Sequence, residues 1–211
     1  MRLDHVSYAA EPDGLDATAA RLAAGLGVEF VDGGVHPRFG TRNRVLPIGG
    51  GHYLEVVEVL DHPAADKVPF GQAVKARTEA GGGWLGWVVA VDDLRPVEHR
   101  LGRAAVPGNR TRPDGFELRW RQIGIKGLMN DPQLPFFVCW DTDPVEHPSQ
   151  PGNGVELVRL EIAGDPHRVA EWLGEPEDHP LDDVDVAWTA PHGQPGLQAA
   201  HFKTTDGIVR I

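Results

Sequence analysis

Apolar positions along the chain fall into three stretches with one grammar: a β-like run, an acidic or Asp-Pro break, a short amphipathic helix, then Leu-Gly. The first is DHVSYAAEPDGLDATAARLAAGLG, from Asp4 to Gly27. The second is WVVAVDDLRPVEHRLG, from Trp87 to Gly102, and the third is LVRLEIAGDPHRVAEWLG, from Leu157 to Gly174. Leu15, Ala19, Leu22 and Leu26 recur at three- and four-residue spacing, which puts them on one helical face. Leu94, Val97 and Leu101 repeat the pattern, as do Val169, Trp172 and Leu173. Asp13, Asp92 and Asp165 stand near the helix starts, where a carboxylate accepts from unpaired backbone N–H groups. Pro96 and Pro166 suit a first turn, and Gly27, Gly102 and Gly174 are predicted to end the helices in left-handed backbone.

Three short strands are predicted after each helix. They are GVEFVDGG, RNRVLPIGG and HYLEVVEVL in the first unit, and RAAVPG, FELRWRQIG and PFFVCWD in the second. In the third unit VDVAWTA, LQAAHFKTT and IVRI take the same places. Each unit therefore reads as β-α-β-β-β. Residues 1–142 form paired modules, about 1–61 and 84–142, with a helical insertion over Val68 to Ala80 between them. Residues 154–211 form a third such unit, packed on the first two or pairing with them, after a linker from Asp141 to Gly154. The expected fold class is α+β: curved, mainly antiparallel, cupped sheets with helices on the convex face and the concave side free for a ligand.

Strand alternation supplies the candidate chemistry. In LDHVSYA, Val6 and Tyr8 form the face toward the helix, so His5 and Ser7 point into the cavity. In HYLEVVEV, Leu54 and Val56 lie on the helix side, so Tyr53, Glu55 and Val57 face the cavity. A carboxylate inside such an apolar strand is costly unless it meets a cation, a proton or several donors. If the two strands are neighbours, His5 and Glu55 either share a metal ion or hydrogen-bond to each other; an edge position for Glu55 is the third option.

Composition narrows the partners. The 211 residues carry 20 Lys and Arg against 31 Asp and Glu, a net charge of −11, so no basic field exists for nucleic acid. No apolar run approaches the roughly 18 residues of a membrane span, and MRLDHVSYAAEPD lacks the apolar core of a signal peptide. The single cysteine, Cys139, suits a reducing cytoplasm. The expected partner is a small molecule, with no nucleic acid and no membrane.

The repeated units, the opening LDHVSYA, GGVHPRFGTRN and GGGHYLEVVEV resemble the vicinal oxygen chelate superfamily, specifically its glyoxalase-like branch. The similarity continues through DGFELRW, LPFFVCW and EHPS, covering most of residues 3–180. The resemblance implies paired modules around a small-molecule site, often with a divalent metal such as Zn, Fe, Mn or Ni. Its ligands would come from the first and last strands of each module. Carried over, His5 matches the first-strand ligand and Glu55 the last-strand ligand. Aligning the second unit on the first puts Trp87 opposite His5 and Val138 opposite Glu55; the matching places in the third fall near Arg159 and Arg210. None of these is a usual ligand, so His147 or His36 would have to complete a metal shell from a loop.

Other residues are expected to line the pocket. In GGVHPRFGTRN, His36, Thr41 and Asn43 either bond a ligand or serve the turn that Gly33, Gly34 and Gly40 shape. Arg110 is the candidate for an anionic group. Phe116, Leu118 and Trp120 share a face that is core or pocket wall, while Glu117, Arg119 and Arg121 share a solvated one. Trp87 and Trp140 either wall the cavity or, with the other four tryptophans, supply core mass, and the resemblance makes His147 a pocket candidate. Cys139 reads as an inert buried thiol, and His52, His62, His99, His167, His179 and His192 have no assigned role. The function expected is a small-molecule enzyme, a lyase, isomerase or dioxygenase, on a compact oxygen-rich substrate. Glu55 would be its base or metal ligand, and His36, Asn43 and Arg110 would orient the substrate. The alternative is a binding protein without turnover. The third unit would cover a sheet edge or pair across a homodimer.

Overall fold

The computed structural model describes residues 1–189 and 194–211; His192 lies outside them. The chain begins β1 (Arg2–Ala9), α1 (Leu15–Leu26), β2 (Val31–His36), β3 (Thr41–Ile48) and β4 (His52–Val59). After α2 (Pro63–Lys67) and α3 (Pro69–Glu79) come β5 (Gly83–Ala90), α4 (Arg95–Leu101), β6 (Val106–Thr111) and β7 (Glu117–Ile123). Next are α5 (Gly127–Asn130) and β8 (Phe136–Trp140). The last part is β9 (Glu156–Ala163), α6 (Pro166–Leu173), β10 (Asp185–Thr189), β11 (Gly196–Thr204) and β12 (Gly207–Arg210).

Eight strands close into a barrel in the order β1-β4-β3-β2-β6-β7-β8-β5. Each half is one β-α-β-β-β module whose first and last strands pair in parallel, β1 with β4 and β5 with β8. The halves join along antiparallel β1 and β5, and again where Val35 of β2 meets Thr111 of β6. That second seam is narrow and depends on a glycine. Gly34 has φ +104°, and a β-carbon there would run into the carbonyl of Thr111.

Alternation divides the apolar residues between two cores. Val57, Val88, Leu118, Phe136 and Val138 point inward. Leu3, Val6, Leu54, Trp87, Val89 and Phe137 point outward, where they meet Leu157, Leu160, Ile162 and Phe202 of the C-terminal sheet. That sheet has the order β10-β9-β11-β12. Its elements also follow one another as β-α-β-β-β, yet it is no copy of a barrel module. Here β9 pairs in parallel with β10, through the α6 crossover, and antiparallel with β11. The central position lets Leu157, Leu160 and Ile162 of β9 reach the barrel wall.

Gly27, Gly102 and Gly174 end their helices in left-handed backbone, at φ of 70°, 61° and 72°. Asp165 accepts from His167 N and Arg168 N at the start of α6. The other two expected caps differ. Asp13 pairs with Arg21 instead, and at α4 it is Asp93, not Asp92, that accepts from Arg95 N. The insertion is two helices, and α3 turns Phe70, Ala73 and Val74 into the barrel interior, capping one end.

Replacing Gly34 with Ala is expected to destabilise the protein by more than about 2 kcal/mol, since strained backbone and a backbone clash add at the seam. Gly115 also has positive φ but nothing within 4 Å of an added β-carbon. Gly115→Ala should cost only about 1 kcal/mol. Urea unfolding of the two variants checks the difference, and equal losses would mean that the seam tolerates a side chain.

Candidate functional site

The parallel pairing of β1 with β4 sets His5 beside Tyr53 and Ser7 beside Glu55, all pointing into the barrel. Both oxygens of the buried Glu55 carboxylate are held: Ser7 Oγ donates to Oε1 at 2.7 Å and Asn43 Nδ2 to Oε2 at 2.9 Å. His5 Nε2 stands 3.7 Å from Oε1, and its ring stacks on Tyr53 with centroids 4.3 Å apart. Behind it, His5 Nδ1 meets Asp4 Oδ2 at 2.6 Å.

Neighbours on a regular strand point to opposite faces, so this last contact needs an irregularity. A β-bulge supplies it: Leu3 pairs with Val89 and His5 with Val88, leaving Asp4 unpaired. The fully buried Asp4 carboxylate also accepts from Trp140 Nε1 at 2.9 Å and lies 3.2 Å from His147 Nε2. Burial pushes the Asp4 carboxyl up, but the His147 and His5 hydrogen bonds and charges outweigh it and hold it well below the usual carboxylate range. At Glu55, burial again pushes up, while His5, His36, Ser7 and Asn43 bring the net effect below the ordinary value. An ionised Asp4 accepts a hydrogen bond from His5 Nδ1–H, so the imidazole turns Nε2 to the cavity. Burial lowers His36 to about 4, which leaves it neutral near pH 7, and raises Tyr53 well above the ordinary phenol.

Across the cavity, Arg110 of β6 is buried, and its Nη1 donates to Asn43 Oδ1 at 3.4 Å. Trp120 and Gln122 of β7 complete that wall, where Trp120 Nε1 donates to Gln122 Oε1 at 2.8 Å. The Trp120 ring lies over Gly108 on the paired strand, a place where a β-carbon would collide with the indole. Phe39 and Phe70 also line the cavity, edge to face at 5.6 Å. About 30 Å³ of the enclosed space is open to the centre of a water molecule, room for roughly two waters.

His5, His36, Glu55, Arg110, Trp120 and Trp140 line this cavity. Asn43 stands behind them as the link between Glu55 and Arg110. His147 lines a separate outer cavity of about 440 Å³, which shares the Trp140 wall. Trp87 is a correction. It is fully buried on the outward face opposite Val6, and its Nε1 donates to Gln133 O at 3.0 Å. Because Val88 pairs with Phe136 as His5 pairs with Tyr53, the counterpart of His5 is Val88, and Trp87 takes the place of Asp4. Ala90 and Val138 likewise replace Ser7 and Glu55. Asp4, Tyr53, Gln122 and Phe70 were not singled out as site residues from the sequence. Alternation pointed Tyr53 inward, but nothing in the local sequence marks the bulge that turns Asp4.

The donors available to a divalent metal are few. His5 and Glu55 form one pair, their counterparts Val88 and Val138 are hydrocarbon, and both Glu55 oxygens are engaged by Ser7 and Asn43. Among the described residues no group of three His, Cys, Asp or Glu side chains could hold a metal ion. A catalytic ion ordinarily takes three protein ligands, so the residues present do not fit one. Cys139 is buried, with its thiol pushed up by burial, and stays outside the site.

The glyoxalase-like domain family matches residues 3–176, and the chain belongs to that family. No curated protein matches it. A hypothetical protein from Staphylococcus aureus has the same fold, with a TM-score of 0.73 at 15% identity over 99% of this chain and 98% of that one. A hypothetical protein from Bacillus halodurans gives a TM-score of 0.42 at 13% identity, over 67% of this chain and 94% of that one. Streptomyces coelicolor methylmalonyl-CoA epimerase, in complex with 2-nitronate-propionyl-CoA, gives 0.43 at 17% identity, over 66% and 96%. At such scores neither of the last two bears on the chemistry of this site. No helix among the described residues is long and apolar enough to cross a membrane.

The buried His36 makes stability depend on pH in a definite direction. Unfolded, it binds a proton below its ordinary 6.5; folded, only below about 4. Between those values the unfolded chain holds more protons, so stability falls as the solution is acidified. The change is about 3 kcal/mol from the two pKa values. The stability gap between wild type and His36→Phe should therefore be about 3 kcal/mol smaller at pH 4 than at pH 7. Urea titrations at both pH values measure it, and a gap independent of pH would show that folding leaves the His36 pKa where it is in the unfolded chain.

Proposed function

We propose that the protein is a cytoplasmic acid–base enzyme of isomerase or lyase type, acting on a compact oxygen-rich substrate with a C–H beside a carbonyl. One observation carries the reading: His5 stands between the buried carboxylates of Asp4 and Glu55, with its Nε2 3.7 Å from Glu55 Oε1, at the wall of the barrel cavity. The Glu55 carboxylate takes the proton from carbon, and the C–H electron pair moves toward the carbonyl oxygen. His5 Nε2 faces that oxygen as its charge develops and stabilises it when it carries a proton, with Asp4 holding the ring at Nδ1. Ser7 and Asn43 fix the carboxylate in place, and the low pKa of Glu55 keeps it in the form a base needs.

The non-catalytic alternative draws on the aromatic lining of Phe39, Phe70, Trp120, Phe136 and Trp140. The small free space favours a compact substrate over a large flat ligand held by stacking. Incubation of pyruvate, hydroxypyruvate and dihydroxyacetone in deuterium oxide, followed by proton NMR, separates the readings. Wild type should speed exchange of the hydrogens next to the carbonyl for at least one of them, and Glu55→Gln should cut that rate by about 10²- to 10⁴-fold. Exchange at the same rate in wild type and Glu55→Gln would overturn the proton-transfer reading.

A further inference from the structure

We infer that the wall opposite His5 and Glu55 is a carboxylate site, and that the ligand is a compact 2-oxo or 2-hydroxy acid. This deepens the acid–base reading and rests on it for turnover, but binding can be tested apart from catalysis. Arg110 is only 4% exposed and takes part in no salt bridge among the described residues; its Nε has no hydrogen-bond partner. Its contact with Asn43 is a long one to a neutral oxygen. The surface guanidinium groups of Arg21, Arg42, Arg112 and Arg210, by contrast, are paired with carboxylates. A cation taken out of water needs an anion close by, and Glu55, although its charge favours the Arg110 cation, forms no salt bridge with it.

A second donor in the same cavity points the same way. Trp120 occupies the carbonyl oxygen of Gln122, which fixes the amide and leaves Nε2, also buried, without a partner. Gln122 is 2% exposed and lines the cavity with Arg110. One charged fork and one neutral N–H₂ on a single wall match a carboxylate and a second oxygen close to it. Phe39, Phe70, Phe136 and Val138 leave only hydrocarbon contacts for the rest of the ligand, and the small free space restricts it to few carbons.

Titration calorimetry with pyruvate, lactate, propionate and methyl pyruvate tests the site. Pyruvate or lactate should bind saturably and at least 10-fold more tightly than propionate, which lacks the second oxygen. Neutral methyl pyruvate should bind at least 10-fold more weakly than pyruvate. Arg110→Gln should abolish acid binding, and Arg110→Lys, which keeps the charge should the first variant fail to fold, should weaken it. Gln122→Leu should bring pyruvate down to the level of propionate. Equal affinity for pyruvate and methyl pyruvate, or wild-type affinity in folded Arg110→Gln, would overturn the carboxylate site. Should the acids bind in this pattern while deuterium exchange is the same in wild type and Glu55→Gln, the acid–base reading fails and the site stands. Glu55-dependent exchange without preference for the acid is the reverse outcome.

Discussion

A carboxylate with no access to water anchors this molecule. Asp4 can stay ionised only because its neighbours replace the solvent: His5 from its own strand, Trp140 from β8, and His147 from the segment beyond the barrel. Those three come from both modules and the chain that follows them, so one buried charge ties the halves together at the end of β1. The same contacts determine the chemistry. An imidazole bonded at Nδ1 has one free nitrogen, and the strand that carries it turns that nitrogen toward Glu55. Fold and site therefore depend on one constraint, since the carboxylate that stabilises the barrel seam also orients the base pair.

The two modules share a backbone plan and divide its chemistry unequally. Ser7, His5 and Glu55 of the first have Ala90, Val88 and Val138 as counterparts in the second. Of the four first and last strands, β1 and β4 thus bring polar and charged groups to the cavity and β5 and β8 bring hydrocarbon, while the second module's polar groups, Arg110 and Gln122, come from β6 and β7. A pair of equivalent polar halves would have presented two like-charged carboxylates across a narrow space, each raising the cost of ionising the other. With the second set replaced by valine and alanine, Glu55 faces no second carboxylate at the matching place.

Much of this was legible in the sequence because period-two alternation is a local property. His5, Ser7, Tyr53 and Glu55 could be pointed inward from the residues on either side of them, and Leu-Gly marked the helix ends. Trp87 failed for a physical reason: the opening apolar runs of the two modules look alike, but the counterpart of His5 is one residue later, at Val88. Asp4 was missed because a bulge is set by pairing between distant strands, not by neighbouring residues. The strand order of the C-terminal sheet was hidden likewise. An identical succession of elements can pair first strand with last, as in the barrel, or first with second, as β9 does with β10, and the burial of β9 decides it.

The insertion between the modules gives the cavity its size. Phe70 arrives on α3 and meets Phe39 from the β2–β3 turn, so part of the cavity wall is hydrocarbon that belongs to neither set of first and last strands. Burial has an electrostatic consequence. Charges among low-dielectric side chains interact more strongly than in water, and Glu55, Arg110 and His5 all line this small cavity. Water admitted there would screen all of them together. The hydrocarbon part of the wall thus governs both what fits and how strongly the polar part acts on it, while the identity of the reacting groups is fixed separately by β1 and β4. A change at α3 could alter ligand size without touching the base, but it could not leave the strength of the base unchanged.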